Sequence, residues 1–454
     1  MTLAEFSFPK AFRVRFRDLR RFDPASFHGI SWHWSKDVML PIGSALKLRK
    51  EKVDRAKYEF SQLQPITIHF DGTIDKRNVE GRAYSMDLFF ARPGDIVVAK
   101  IDLKNGAVGI VPDWENVVVT NHFAVYEPDR SKIIPEYFLL VIQANFFKSY
   151  LWRNKVGAEG RKEVKLEFFE SIKIPMPPID EQRRIVAAWQ QAQVNIANAE
   201  KRVKKIEQDM ESLMLKSLGI SLPSEFPEQK IFLVFWKDLE RWDLFFQRPD
   251  FVALENQLHS LNALSLGEVL NFESRSWKKS DFPEGKFEYI EISSVNRENG
   301  IFSSRTVETN NAPSRATTLV KTGDLIISTT RPYLGAIAIV PEKYNNYVCS
   351  SGFALATSTK LPHVDIRYVL FFLTSKAGLL QLERRMTGGL YPAIVQEELE
   401  KIKIPIPSSE VQKEIICRVE EGRSKIRQEQ EAAAKVKEES EREIERMILG
   451  LSKA

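Results

Sequence analysis

Lysine, arginine and aromatic side chains are interleaved with glycine at several places in this chain. These are "LWRNKVGAEGRKEVK" (151–165), "SRSWKKSDF" (274–282), "STTRPYLG" (328–335) and "RRMTGGLYP" (384–392). Such residues suit a polyanion: cationic side chains neutralise phosphates, which gives affinity, and polar or aromatic side chains on loops reach base edges, which gives discrimination. The candidates for contact with such a polyanion are Lys100, Lys104, Arg153, Lys155, Arg161 and Lys162, and then Trp277, Lys278, Lys279, Thr329, Arg331, Tyr333, Arg384 and Tyr391. Any single basic loop is better read as solvated surface, so the argument rests on their recurrence at equivalent places.

Other chemistries find little support. The six histidines have no metal-ligand spacing, and neither Cys349 nor Cys417 has a cysteine nearby. No GxGxxG follows a strand-like run, and neither a P-loop nor a GxSxG elbow is present. "MPPI" (176–179) shares only its two prolines with the Asn/Asp-Pro-Pro-Tyr/Phe segment of amino-methyltransferases. Acidic-x-Lys pieces such as Glu163-Val164-Lys165 are expected by chance in a chain that is 28% charged. The expectation is binding without catalysis, and no metal site.

The elements that position these loops occur twice. "FRVRFRDLRRFD" (12–23) aligns with "FLVFWKDLERWD" (232–243), and "GDIVVAKIDLKNGAVGIVP" (94–112) with "GDLIISTTRPYLGAIAIVP" (323–341). "IKIPMPPIDEQRRI" (172–185) aligns with "IKIPIPSSEVQKEI" (402–415). The chain is therefore a tandem duplication of one unit of about 220 residues. In that alignment Arg331 falls on Asp102, an inequality that makes Arg331 a candidate base reader. Between the first strands and the Gly-Asp motif the two copies barely align.

Each unit begins with an α+β head. "DIVVAKI", "GAVGIVP", "FEYIEIS", "DLIISTT" and "GAIAIVP" read as short strands bounded by turn formers, and 135–152 and 365–385 each read as a helix. After each proline-rich junction the pattern becomes heptad. Ile185, Trp189, Ala192, Ile196, Ala199, Val203, Ile206, Met210 and Leu213 are spaced alternately by four and three. Ile415, Val419, Ile426, Ala433, Val436 and Ile444 continue the pattern in the second copy, with Gly422, Glu429 and Ser440 at seam positions. Forty helical residues reach roughly 60 Å. An intermolecular coiled coil is the alternative, but two matching helices in one chain can pack antiparallel against each other. Ser409 and Gln412 suggest a capping box at the second helix start. The expected division is head 1 at 1–178, spacer helix at 179–219, head 2 at 220–408 and a second spacer helix at 409–454.

The bulk numbers agree. At 454 residues, 43% hydrophobic and 11% aromatic, two or more cores are expected. Two cysteines argue for a reducing compartment, and no apolar run is long enough to span a membrane. The Arg-rich opening resembles a transit peptide, but its recurrence at 232–243 weakens that reading. Net charge is +5. The segment 179–218 carries seven basic and six acidic residues and the one from Ser409 ten and eleven, so the positive excess lies in the heads.

With these motifs in hand, the whole chain resembles the specificity (S) subunit of a Type I restriction–modification system. The resemblance implies two target recognition domains, each reading half of a bipartite, asymmetric double-stranded DNA target, and paired helices that set the gap. It implies docking of two methyltransferase subunits and association with restriction/translocase subunits in a prokaryotic cytoplasm. S-adenosylmethionine, ATP and Mg would belong to those partners. A coiled-coil scaffold with two protein-binding heads is the competing expectation.

Overall fold

The computed structural model describes residues 29–78, 86–156, 163–222 and 240–452. The chain divides into two compact units, Met1–Asn198 with Ala432–Ala454, and Ala199–Glu431. Each unit thus takes a head, half of one long helix and the opposite half of the other. The aligned motifs at 12–23 and 232–239 lie outside the described residues.

In the first unit, strands Leu46–Arg49, Phe123–Pro128, Ile96–Ala99 and Val108–Ile110 form an antiparallel sheet in that order. A second sheet has the order Ile74–Lys76, Gln64–Ile68, Val117–Thr120, Leu88–Phe90, with the middle pair parallel. The second unit repeats this. Its sheets are Leu270–Glu273, Phe353–Thr359, Leu325–Ser328, Ile337–Ile339, and Arg305–Glu308, Lys286–Ile290, Val348–Ser350, Ala316–Leu319, again with the middle pair of the latter parallel. A short pair ends each head, Met39–Pro41 with Lys173–Pro175 and Leu264–Ser265 with Lys403–Ile404.

The strands after each Gly-Asp are apolar without alternation because both faces are covered. Ile96 and Val98 face the helices while Val97 faces the other sheet's core, and Leu325 and Ile327 are divided from Ile326 in the same way. The Asp itself is a clamp. Asp95, 2% exposed, accepts from the Arg49 guanidinium (2.7 Å) and from the Arg92 N–H (2.8 Å). Asp324, 3% exposed, does so from Arg275 (2.5 Å) and the Lys321 N–H (2.7 Å).

Two helices expected to be continuous are each broken. Pro135–Gln143 is followed by Asn145–Arg153, and Ile366–Leu373 by Lys376–Arg385. Ala144 turns extended, and Ser375 caps the new helix by accepting from the Gly378 N–H. The second helix folds back so closely that a Cβ on Gly378 would collide with the Phe372 carbonyl and the Leu373 backbone.

The long helices are Ile179–Ser217 and Ser409–Leu449. Within the first unit Ile185 and Val186 share a core with Ile444, Met447 and Ile448. Within the second, Arg202 pairs with Glu429 at 2.8 Å and Met210 meets Gly422, so the two helices run antiparallel there. Ile185, Ile415, Val419 and Ile426 are buried on the seam, and Ile196, Val203, Ile206, Met210 and Val436 are half-buried. Trp189 departs from the expected seam, remaining 38% exposed.

Gln182 and Gln412, both buried, seat each helix in its head. The Gln182 amide accepts from the Ile134 N–H (2.8 Å) and donates to the Lys132 and Pro177 carbonyls (2.8 Å each). Gln412 accepts from the Asp365 N–H (3.0 Å) and donates to the His363 (3.1 Å) and Pro407 (3.0 Å) carbonyls. The expected Ser409–Gln412 capping box is therefore corrected: the amide is spent on the head. Tyrosines complete both junctions, Tyr137 donating to the Pro175 carbonyl (3.1 Å) and Tyr368 to that of Pro405 (2.5 Å).

Candidate nucleic-acid interface

Two loops of the second head meet. One, 329–335, leaves the strand Leu325–Ser328, makes a 3-10 turn at Pro332–Leu334 and ends at left-handed Gly335. The other is a narrow turn closed by reciprocal hydrogen bonds between Thr387 and Ala393 (2.7 and 2.8 Å), with Gly388 at φ +96°. They are stitched together by the Arg331 N–H on the Pro392 carbonyl and the Ile394 N–H on that of Thr329, both 2.8 Å. Thr329 also donates its hydroxyl to the Gly352 carbonyl (3.0 Å).

This stitching brings Thr329, Arg331, Tyr333 and Tyr391 onto adjoining loops. The Arg331 guanidinium lies 5.7 Å from the Tyr391 ring centroid, within cation–π range. Tyr391 is 70% exposed, and Leu334 and Leu390, two apolar neighbours that sequence reasoning passed over, are 60% and 81% exposed.

The first head has the corresponding turn with other side chains. Its loop 100–106 carries a 3-10 turn at Leu103–Asn105 and ends at left-handed Gly106. Lys100 donates to the Asn121 carbonyl (2.6 Å), and Lys104 is half-buried on the turn. Arg153 donates to the Ser149 carbonyl (3.1 Å), and partial burial lowers its pKa. The Lys155 amine sits 3.1 Å from the centroid of the exposed Trp152 ring. Val156 and Glu163 exchange reciprocal hydrogen bonds (2.8 and 2.9 Å), and the candidates Arg161 and Lys162 lie outside the described residues.

Other candidates sit apart. Arg384 is corrected to a structural residue: it is buried, paired with Glu255, packed 4.1 Å from the Phe246 ring and bonded to the Phe246 carbonyl (2.9 Å). Its guanidinium pKa is lowered by that burial. Trp277 is likewise half-buried packing, its ring against Phe282 and Phe287 and its indole N–H on the Ala316 carbonyl (2.7 Å). Lys278 and Lys279 are exposed beside it, Lys279 reaching the Asn310 side chain (3.0 Å).

Among the described residues, no helix is long and apolar enough to cross a membrane. Two repeats of one α+β domain, each running into a long helix, define a class of duplicated two-headed proteins. Residues 58–208 and 262–438, one stretch per repeat, match the Type I restriction modification DNA specificity domain, and the chain belongs to that family.

Curated relatives agree. A Methanocaldococcus jannaschii chain assigned as the MjaX specificity subunit of a type I restriction enzyme is 23% identical over 85% of this chain and 84% of its own length. The MjaVIII specificity subunit of the same organism is 22% identical over 63% of this chain and 62% of its own length. A chain from a structural study of complex assembly and conformational transition in the type I R-M system superposes with a TM-score of 0.53. It covers 90% of this chain and 96% of its own length at 18% identity, a likeness of fold.

Proposed function

We propose that this chain is the non-catalytic reader of a Type I restriction–modification complex. Each head reads one half of a bipartite, asymmetric duplex target. The antiparallel helices fix the gap between halves and dock two methyltransferase subunits, and restriction/translocase subunits join the same complex. Methyl transfer with S-adenosylmethionine, and translocation and cleavage with ATP and Mg, are the work of those partners.

One observation carries this reading. Both heads use the same order in their two four-stranded sheets and the same 3-10 turn ending at a left-handed glycine after the Gly-Asp strand, yet Asp102 and Lys104 stand where the other head has Arg331 and Tyr333. A constant frame with unequal loop side chains suits two readers of different half-sites. The direct DNA contacts assigned to it are Thr329, Arg331, Tyr333 and Tyr391 in one head, and Lys100, Lys104 and Lys155 in the other.

The test is an exchange of residues 1–178 for the corresponding head of another family member, followed by methylome sequencing of cells that carry the partner subunits. One half of the methylated motif should change and the other stay. Change in both halves would refute independent readers.

A further inference from the structure

We propose that Arg331 is the residue with which the second head recognises a guanine, and that Leu334, Leu390 and Tyr391 form an apolar collar for a neighbouring thymine methyl. The inference rests on reading the head as a DNA reader and adds the base chemistry.

The starting point is backbone strain. Four non-glycine residues among those described have positive φ: Asn116, Asn262, Asn346 and Arg331, the last at φ +47°, ψ +53°. Asparagine tolerates the left-handed region, whereas a long side chain does so at a cost. The following residue is Pro332, which pushes its predecessor toward extended backbone and so adds to the strain. The turn itself does not demand this conformation. Asp102 precedes the equivalent 3-10 turn of the first head at φ −103°, ψ 8°.

Strain of this kind persists only where surrounding structure enforces it, and it concentrates at functional sites. Here the enforcement is the Arg331 N–H on the Pro392 carbonyl, with the Thr330–Ala393 bridge beside it. Its result is an exposed guanidinium against the Tyr391 ring. Arg248, Arg275, Arg384 and Arg385 of the same unit are all paired with carboxylates, but no described carboxylate pairs with Arg331.

An exposed guanidinium beside an aromatic ring, with no described carboxylate partner, is free to meet the O6 and N7 acceptors of guanine in the major groove. A phosphate contact would not need the apolar surround of Leu334, Leu390 and Tyr391. The 5-methyl of thymine is the apolar group that a major-groove edge offers to Leu334 and Leu390.

The experiment selects bound sequences from a randomised duplex library with the full-length chain, alone and co-expressed with methyltransferase subunits. The wild type is compared with Arg331→Gly and Arg331→Lys. Arg331→Gly should keep the wild-type motif except at one G·C pair, which becomes degenerate, with affinity for the wild-type site falling roughly 5- to 150-fold. Arg331→Lys, which can still donate to guanine, should fall between it and the wild type at that pair. Glycine relieves the strain, so the melting temperature of Arg331→Gly should hold or rise. An unchanged motif in Arg331→Gly overturns the proposal. So does a uniform loss over all sequences with the salt slope shallower by about one, the signature of a phosphate contact. A wild type that enriches no motif refutes DNA reading itself, a different outcome from a motif that survives the substitution.

Discussion

Met210 fills the space that a side chain on Gly422 would need: a Cβ built there would overlap the Met210 thioether. The glycine that looks like a flaw in the second heptad seam is a socket for a knob from the first. Two effects then oppose each other in Gly422→Ala. Helix propensity favours alanine by about 1 kcal/mol, while overpacking costs about 1–3 kcal/mol. The variant should be neutral to mildly destabilised in the wild-type background and stabilised by about 1 kcal/mol in Met210→Ala. Urea unfolding of the four-member cycle measures the coupling, and additive effects would show that the two residues do not pack.

Gln412→Leu keeps much of the side-chain volume but strands the Asp365 N–H and the His363 and Pro407 carbonyls. Stranded buried groups cost about 1–3 kcal/mol each and do not simply add, so a loss of about 2–4 kcal/mol is expected. Gln182→Leu should do the same in the first unit. Amide exchange at Asp365 or Ile134 reports the lesion locally, and unchanged protection there would contradict the role given to these amides.

Glu445 accepts from the Asn145 N–H at 2.7 Å, at the start of a head helix. Burial is the larger influence and raises its pKa above the ordinary 4.5, while that hydrogen bond pulls the other way. A carboxyl whose folded pKa is raised gives stability that is fully present below its unfolded pKa and lost as pH rises through the folded value. Glu445→Gln keeps an acceptor and never ionises. It should therefore melt above the wild type at neutral pH, with the gap closing as pH falls toward 4.5. A gap constant with pH would exclude ionisation of Glu445 as its cause.

Much of this fold is legible in the sequence for physical reasons. Ile96–Ala99 and Leu325–Ser328 are covered on both faces and so appear as plain apolar runs. The long helices announce themselves through a narrow apolar seam. The breaks at Ala144 and Ser375 are hidden because apolar residues continue on either side, and only the fold-back onto Phe372 gives Gly378 its meaning. Arg384 resembles any loop arginine until Phe246 and Glu255, more than a hundred residues away, arrive around it. Arg331, Tyr333 and Tyr391 stand out in the sequence as a basic and aromatic pattern, whereas the exposed Leu334 and Leu390 beside them do not. Nor does the joining of 329–335 to 387–394, since main-chain hydrogen bonds between distant loops leave no trace in residue type.

The two glutamine seats carry a consequence for how such a protein can change. Every partner of Gln182 and Gln412 is a main-chain atom, so the seat is blind to the side chains of the head it holds. A foreign head whose backbone follows the same path at 132–134 or 363–365 would find its mooring intact, whatever its recognition loops contain. New vocabulary can enter the loops without disturbing the grammar of the joint.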